Sequence, residues 1–370
     1  MLSTVNIERG TCYVLFAYDL ALSIDLDEVE RRLDTKVQRE TLKHEHPAPS
    51  YFEYRPAPVR VTQSAESLAL GDYRTATSVD LVLYDFGAVS VIYSIPLTGP
   101  LSGLLALSES LYDNALLLAD SRQRVEQLTI TIEGTLTKGR LSDVVEDYAI
   151  FQVEAFSLPS SPEELCSSQA QTIAQILRAE RQILSFQEVQ EALSQRLSFS
   201  ASDVILIDWH AALVVDSPGD DVRAVLEFAN VELLEMRYLD QRLDDALDRS
   251  YSALSRKRPW GVLRLLGRPR EELRYIARLQ ADNAILFEGV NNALKLLGDQ
   301  YLARVYRLVS DRFHLSEWDA SILRKLQTLE SIYQKMSDEA VDRRMELLEW
   351  IIIILIAVEI ALSFIPGIRH

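Results

Sequence analysis

At 370 residues and 48% hydrophobic composition, the chain is long enough for two or three domains with cores of their own. Lys and Arg number 38 against 55 Asp and Glu, a formal net charge of −17, which argues against direct nucleic-acid binding unless the positive charges are clustered. Cys12 and Cys166 lie far apart in apolar patterns, so neither a disulfide framework nor a zinc site is indicated.

Met1 to Gly10 lacks a basic segment followed by an apolar one, so no leader is expected and the N-terminal part is placed in the cytoplasm. Thr11 to Asp19 is rich in strand formers. Leu26 to Leu33 reads as a helix opened by Asp25, with Asp27, Glu28 and Glu30 in its first turn. Four prolines make His44 to Pro58 a loop or an edge segment. A hairpin follows: Val79 to Tyr84, a turn at Asp85-Phe86-Gly87, then Ala88 to Ile95. Pro100 to Gln127 carries leucines at helical spacing, and the Thr/Ile content of Leu128 to Leu136 predicts a strand.

A second copy of this pattern is expected next. Asp147 to Phe156 is a strand and Pro162 to Leu184 a helix; Asp203 to Asp216 resembles the first hairpin. Asp80 aligns with Asp203, Asp85 with Asp208, Phe86 with Trp209 and Ala88 with Ala211. The expectation is an α+β fold: a duplicated strand–helix–hairpin–helix sandwich over residues 1–219, with repeats at about 11–136 and 147–219. Chance similarity between two apolar hairpins is the alternative.

After Gly219 the chain turns to long helices, a stalk over residues 220–346. Asp220 to Ser255 has no Pro or Gly, and Pro269 to Arg312 shows a seam from Ile276 to Leu308. Ser316 with Asp319 forms a capping box for the last helix. There Ile322, Leu326, Leu329, Tyr333, Met336 and Ala340 alternate by four and three. This is a coiled-coil seam that predicts a homo-oligomer, although an antiparallel bundle within one chain shares it.

Catalytic chemistry is mostly missing. In Gly134 to Arg140, Arg140 stands where a phosphate loop needs Lys, and Leu141 follows where it needs Ser or Thr. His44-Glu45-His46 reads as a solvated loop segment, and no catalytic residue, metal or cofactor is expected. Asp85 and Asp208 close turns, or form a carboxylate pair if a cleft brings them together. Nothing pairs with His210 as a base. A basic cluster stands out against the acidic chain: Arg256, Lys257, Arg258, Trp260, Arg264, Arg268 and Arg270. Anionic headgroups, a solvated hairpin tip, and ribosomal RNA are its three readings.

The C-terminal stretch is the most distinctive. Leu347 to Ile365 reads as one apolar helix interrupted by Glu349 and Glu359, about 28 Å long against a hydrocarbon core of ~30 Å. Pro366 and Gly367 stop it. The expectation is a transmembrane helix over 347–365, a single-pass tail anchor; the alternative is a buried core helix. Its anchor residues are Leu348, Glu349, Trp350, Ile351, Ile354, Leu355, Glu359 and Ile360.

Leu348-Glu349-Trp350-Ile351, the branched run to Ile356, Glu359 and Ile360, with the hairpin Leu81 to Tyr93, resemble the family named "required for meiotic nuclear division". That resemblance implies a membrane-anchored homo-oligomer without established enzymatic activity, with relatives that support organellar translation and hence a ribosome-related partner. The function expected is thus a self-associating scaffold or tether at a membrane, with lipids as partners. The competing expectation is a membrane-associated enzyme or ligand-binding protein using a cleft between the repeats.

Overall fold

The computed structural model describes residues 5–33, 37–39, 57–157, 161–216, 219–255, 278, 281 and 300–363. It divides into two compact units, Met1–Leu239 with Ala284–Asp319, and Asp240–Asn283 with Ala320–His370.

The first unit is built on strand β1 (Asn6–Asp19). Its side chains alternate between two cores: Cys12, Val14, Phe16 and Tyr18 enter one, Leu15 and Ala17 the other. A strand buried on both faces reads as a continuous apolar run, which is how Tyr13 to Ala17 reads. The other main strands are β4 (Val59–Ser64), β7 (Ser78–Leu83), β8 (Ala88–Pro100), β10 (Val145–Phe156), β12 (Val204–Ile207) and β13 (Ala211–Val215). Short β3 (Val37–Arg39) and β11 (Arg196–Leu197) close the edges of one nine-stranded sheet, ordered β11-β12-β13-β10-β1-β8-β7-β4-β3. Two small ribbons flank it: β2 (Ser23–Ile24) with β9 (Leu136–Thr137), and β5 (Ala69–Leu70) with β6 (Tyr73–Arg74).

Helices cover both faces. On one face lie α1 (Leu26–Arg32), α2 (Leu104–Leu111), α3 (Ala115–Ile132), α4 (Pro162–Ser168) and α5 (Ala170–Arg178). Beside them α6 (Phe186–Ala192) packs Val189 and Ala192 on Ala174. The other face is covered by the start of α7 (Asp220–Ser255), by α8 (Gln300–Arg312) and by the first residues of α9 (Leu315–Ser363). Side-chain oxygens of Asp25, Asn114, Ser161 and Ser185 cap α1, α3, α4 and α6, accepting from the third residue on.

Several expectations change. The expected duplicated sandwich is instead a single mixed sheet between helical layers. The halves also differ in direction: β8 runs antiparallel to β1, but β13 runs parallel to β10. The strand expected at Leu128–Leu136 is helix as far as Ile132. Val125, Leu128 and Ile132 supply a core-facing stripe, and the hydroxyls of Thr129 and Thr131 donate to carbonyls four residues back. Tertiary burial overrides β propensity there.

The transmembrane expectation is corrected as well. Among the described residues no helix is long and apolar enough to cross a membrane. Glu346, Glu349 and Glu359 punctuate the end of α9, and the uncharged run Trp350 to Val358 spans only about 13 Å, under half of a hydrocarbon core. The anchor assigned to Leu348, Glu349, Trp350, Ile351, Ile354, Leu355, Glu359 and Ile360, with the membrane localisation built on it, is therefore not supported.

In the second unit, α7 and α9 run in the same direction beside each other. Lys325 Nζ reaches Asp240 at 2.7 Å and Asp244 at 2.6 Å, and farther along Tyr333 bonds Ser250 at 2.9 Å. Ile322, Leu326, Leu329 and Tyr333 are buried within one chain; the side chains of Met336 and Ala340 lie outside the described residues.

One glycine is demanded by the fold. Gly87 closes the β7–β8 turn at φ 109°, and a Cβ there would lie 1.7 Å from the Ala21 carbonyl oxygen. Its own carbonyl accepts from Leu20 N at 2.9 Å, so the loop cannot retreat without losing that bond. Gly87→Ala is expected to destabilise the first unit by about 2–3 kcal/mol in urea unfolding. A loss under ~0.5 kcal/mol would show that the turn relaxes freely.

Candidate functional site

The topology gathers polar groups at one end of the sheet. β1 ends at Asp19 beside Ala88, and Glu146 and Asp147 pair with Ala17 and Phe16. Ile24 N donates to the Asp85 carbonyl at 2.8 Å, and Ala149 N to that of His210 at 3.1 Å. Both hairpin tips therefore share this end. β10 and β1 stand between the hairpins, so β13 and β8 are about 14 Å apart. At that separation Asp85 and Asp208 are not a carboxylate pair.

Asp208, only 1% exposed, is clamped from two helices. Arg178 Nε, on the last residue of α5, donates at 3.0 Å; Arg312 Nε, on the last residue of α8, donates at 2.9 Å and its Nη2 adds a second contact. Placement in a last turn suits a cation, since helix carbonyls point there. The Trp209 amide donates to the same carboxylate at 2.8 Å, and Tyr148 Oη to the Asp208 carbonyl at 3.0 Å. Arg312 also holds Glu191 at 2.7 Å, and Arg178 contacts Glu188. Burial opposes the charge on Arg312, but bonds to Asp208 and Glu191 outweigh it and raise its pKa; the same pair lowers that of Glu191. With both oxygens engaged, Asp208 is a positioning group rather than a base.

The clamp presents an aromatic rim. Trp209 is 43% exposed, its ring 5.1 Å from that of His314, and the His210 ring meets Tyr112 edge-on at 5.1 Å. His210 thus makes an edge-on aromatic contact at the surface. Asp203, aligned with Asp80, caps the preceding loop by accepting from Phe199 N at 2.8 Å, whereas Asp80 accepts from Arg60 at 2.9 Å and Thr62 at 2.7 Å.

A second polar layer lies under α7. Glu232 accepts from Tyr306 Oη at 2.7 Å and burial pushes its carboxyl up to about 7. Burial also raises Glu146 to about 7, although the contacting Arg237 works against it. Burial and then the Asp19 carboxylate push Glu235 well above the usual range, and its Oε1 has no hydrogen-bond partner. This layer can hold protons near neutral pH. Among the described residues no group of three or more His, Cys, Asp or Glu is arranged to hold a metal ion, and both cysteines are buried and free.

Sequence reasoning singled out Asp208 only as closing a turn or pairing with Asp85, and His210 without a partner, and missed Arg178, Arg312, Glu191 and the carboxylates of α7. Arg312 is 104 residues from Asp208, and no local pattern marks such a pair. The basic cluster Arg256, Lys257, Arg258, Trp260, Arg264, Arg268 and Arg270, like His44 and His46, lies outside the described residues.

In the second unit, the described end of α9 is exposed. Ten large apolar side chains from Leu348 to Ile360 are each 48–63% exposed, on every side of the helix.

Comparison with known proteins overturns the resemblance to the "required for meiotic nuclear division" family. Apolar helix ends rich in Leu and Ile recur by chance and carry little family information. The chain is 24% identical over 319 residues to "Uncharacterized protein MJ0711" of Methanocaldococcus jannaschii, which spans 85% of this chain and 88% of that protein. No solved structure matches. A family model described as "Uncharacterized protein MJ0711, N-terminal domain" matches residues 9–221, more than half of the chain and nearly the whole extent of the nine-stranded sheet. The chain belongs to the MJ0711 N-terminal domain family.

Proposed function

We propose that this protein is a self-associating scaffold whose assembly element is the end of α9. The observation that carries this reading is the exposure of Leu348 to Ile360. Those ten side chains bare roughly 1,000 Å² of apolar surface, while a standard protein interface takes about 800 Å² from each partner. Monomeric proteins rarely leave that much contiguous apolar area in water. Sharing the helix among copies would hold several mixed-sheet units together, each with its clamped hairpin rim. The engaged oxygens of Asp208 fit a positioning role better than a catalytic one.

Sedimentation velocity of the full chain beside an Ile353→Glu/Ile354→Glu variant tests the proposal. Both positions are exposed in the single chain, so the variant should fold. The wild type is expected to sediment as an oligomer and the variant as a monomer. Equal sedimentation of the two would refute it.

A further inference from the structure

The proposed self-association can be taken further, to the face of the helix that mediates it. On α9 the buried residues Ile322, Leu326, Leu329 and Tyr333 are spaced four, three, four. Carried forward, the same alternation passes Met336, Ala340, Arg343 and Leu347 in the sequence, with the charged Arg343 interrupting it, and then reaches Trp350, Ile354, Ala357 and Ala361. Trp350 is 63% and Ile354 57% exposed, so the stripe that is filled inside the chain up to Tyr333 resumes unfilled at its far end. In the heptad set by this seam, Trp350 and Ile354 are d and a; Ile351, Ile353, Val358 and Ile360 occupy e and g.

Beyond Arg343, the carboxylates keep off this face. At about 100° per residue, Glu349 lies roughly 110° and Glu359 roughly 170° from the middle of the Trp350–Ile354–Ala357 stripe. They take the outward positions c and f, where a carboxylate stays hydrated. An axial position for Glu359 would instead desolvate it. Apolar residues fill a, d, e and g, and Leu355, Ile356 and Ile352 add b, c and f, so the surface is too wide for one partner helix to cover.

We infer that Trp350, Ile354 and Ala357 face copies of the same helix in a bundle of three or more chains, with Glu349 and Glu359 outside. The occupant is a second copy because the exposed area matches an interface, and because the face resumes the phase of the seam beyond Arg343. This rests on the proposed self-association.

The test is disulfide formation in full-length Ile354→Cys and Glu359→Cys under mild oxidation. Cys12 and Cys166 are buried and do not compete. Ile354 is the midpoint of the exposed stretch, so it meets its own copy whichever way the helices run. Ile354→Cys is expected to link at least about fivefold faster than Glu359→Cys. Equal linking, or preference for position 359, in a chain that remains oligomeric would overturn the face alone. A monomeric chain with no linking would overturn the face and the self-association together. Loss of Ile354→Cys linking on adding phosphatidylcholine vesicles that retain the protein would assign the face to lipid and overturn the inference.

Discussion

Asp208→Ala is expected to lower the unfolding free energy of the first unit by about 3–5 kcal/mol, the cost of removing one member of a buried ion pair. The side chains of Arg178 and Arg312 are 21% and 7% exposed, so water replaces the lost carboxylate only in part. Arg312 would keep Glu191 and Arg178 would keep Glu188, which places the loss inside that range rather than above it. The Trp209 amide would lose its acceptor too, loosening the rim. Asp208→Asn keeps a carbonyl acceptor and should cost less than Asp208→Ala. Urea unfolding of the three proteins decides the matter; a loss below ~1 kcal/mol for Asp208→Ala would mean that the clamp is not buried as described.

The second large effect is a stability that falls as the pH rises. Glu146 and Glu232 titrate near 4.5 when unfolded and at about 7 when folded. Between those values the folded state binds more protons than the unfolded one, so stability must decline with pH across that window and level off above it. Each group contributes up to about 3 kcal/mol over the interval, an upper bound because solvation relaxes. Glu235, Asp147 and Asp319 shift in the same direction. Asp203, Glu191 and Glu317 shift downward, so their contribution is lost only on acidification below the ordinary carboxylate range. Thermal unfolding at pH 5.5 and pH 8 should therefore show the higher midpoint at pH 5.5, and Glu232→Gln should remove a large part of the difference. A midpoint that rises with pH would contradict the burial of these carboxylates.

Local chemistry made parts of this architecture legible in the sequence. Asp25 announces α1 because a carboxylate caps free amides, and Asp85-Phe86-Gly87 announces a turn because only glycine tolerates φ 109° there. The pairing of strands was not legible: two hairpins of similar composition join their neighbouring strands in opposite senses, and no residue pattern encodes that. Thr129 and Thr131 misled for a related reason, since helix or strand is decided by what Leu128 and Ile132 pack against. The Asp208 clamp was half visible. An aspartate at a turn is ordinary, and its arginine partners come from distant helix ends. At the C-terminus the apolar run is evident, but its meaning depends on length between charges, and Glu349 and Glu359 make that length short.

The most direct measure of the central claim is the mass of the intact chain in detergent-free buffer, by light scattering after size exclusion. One chain is 42.0 kDa. The covered-helix account predicts at least three chain masses at micromolar concentration, collapsing toward one when Ile354 is replaced by Glu. A wild-type mass of 42.0 kDa at every concentration would contradict it.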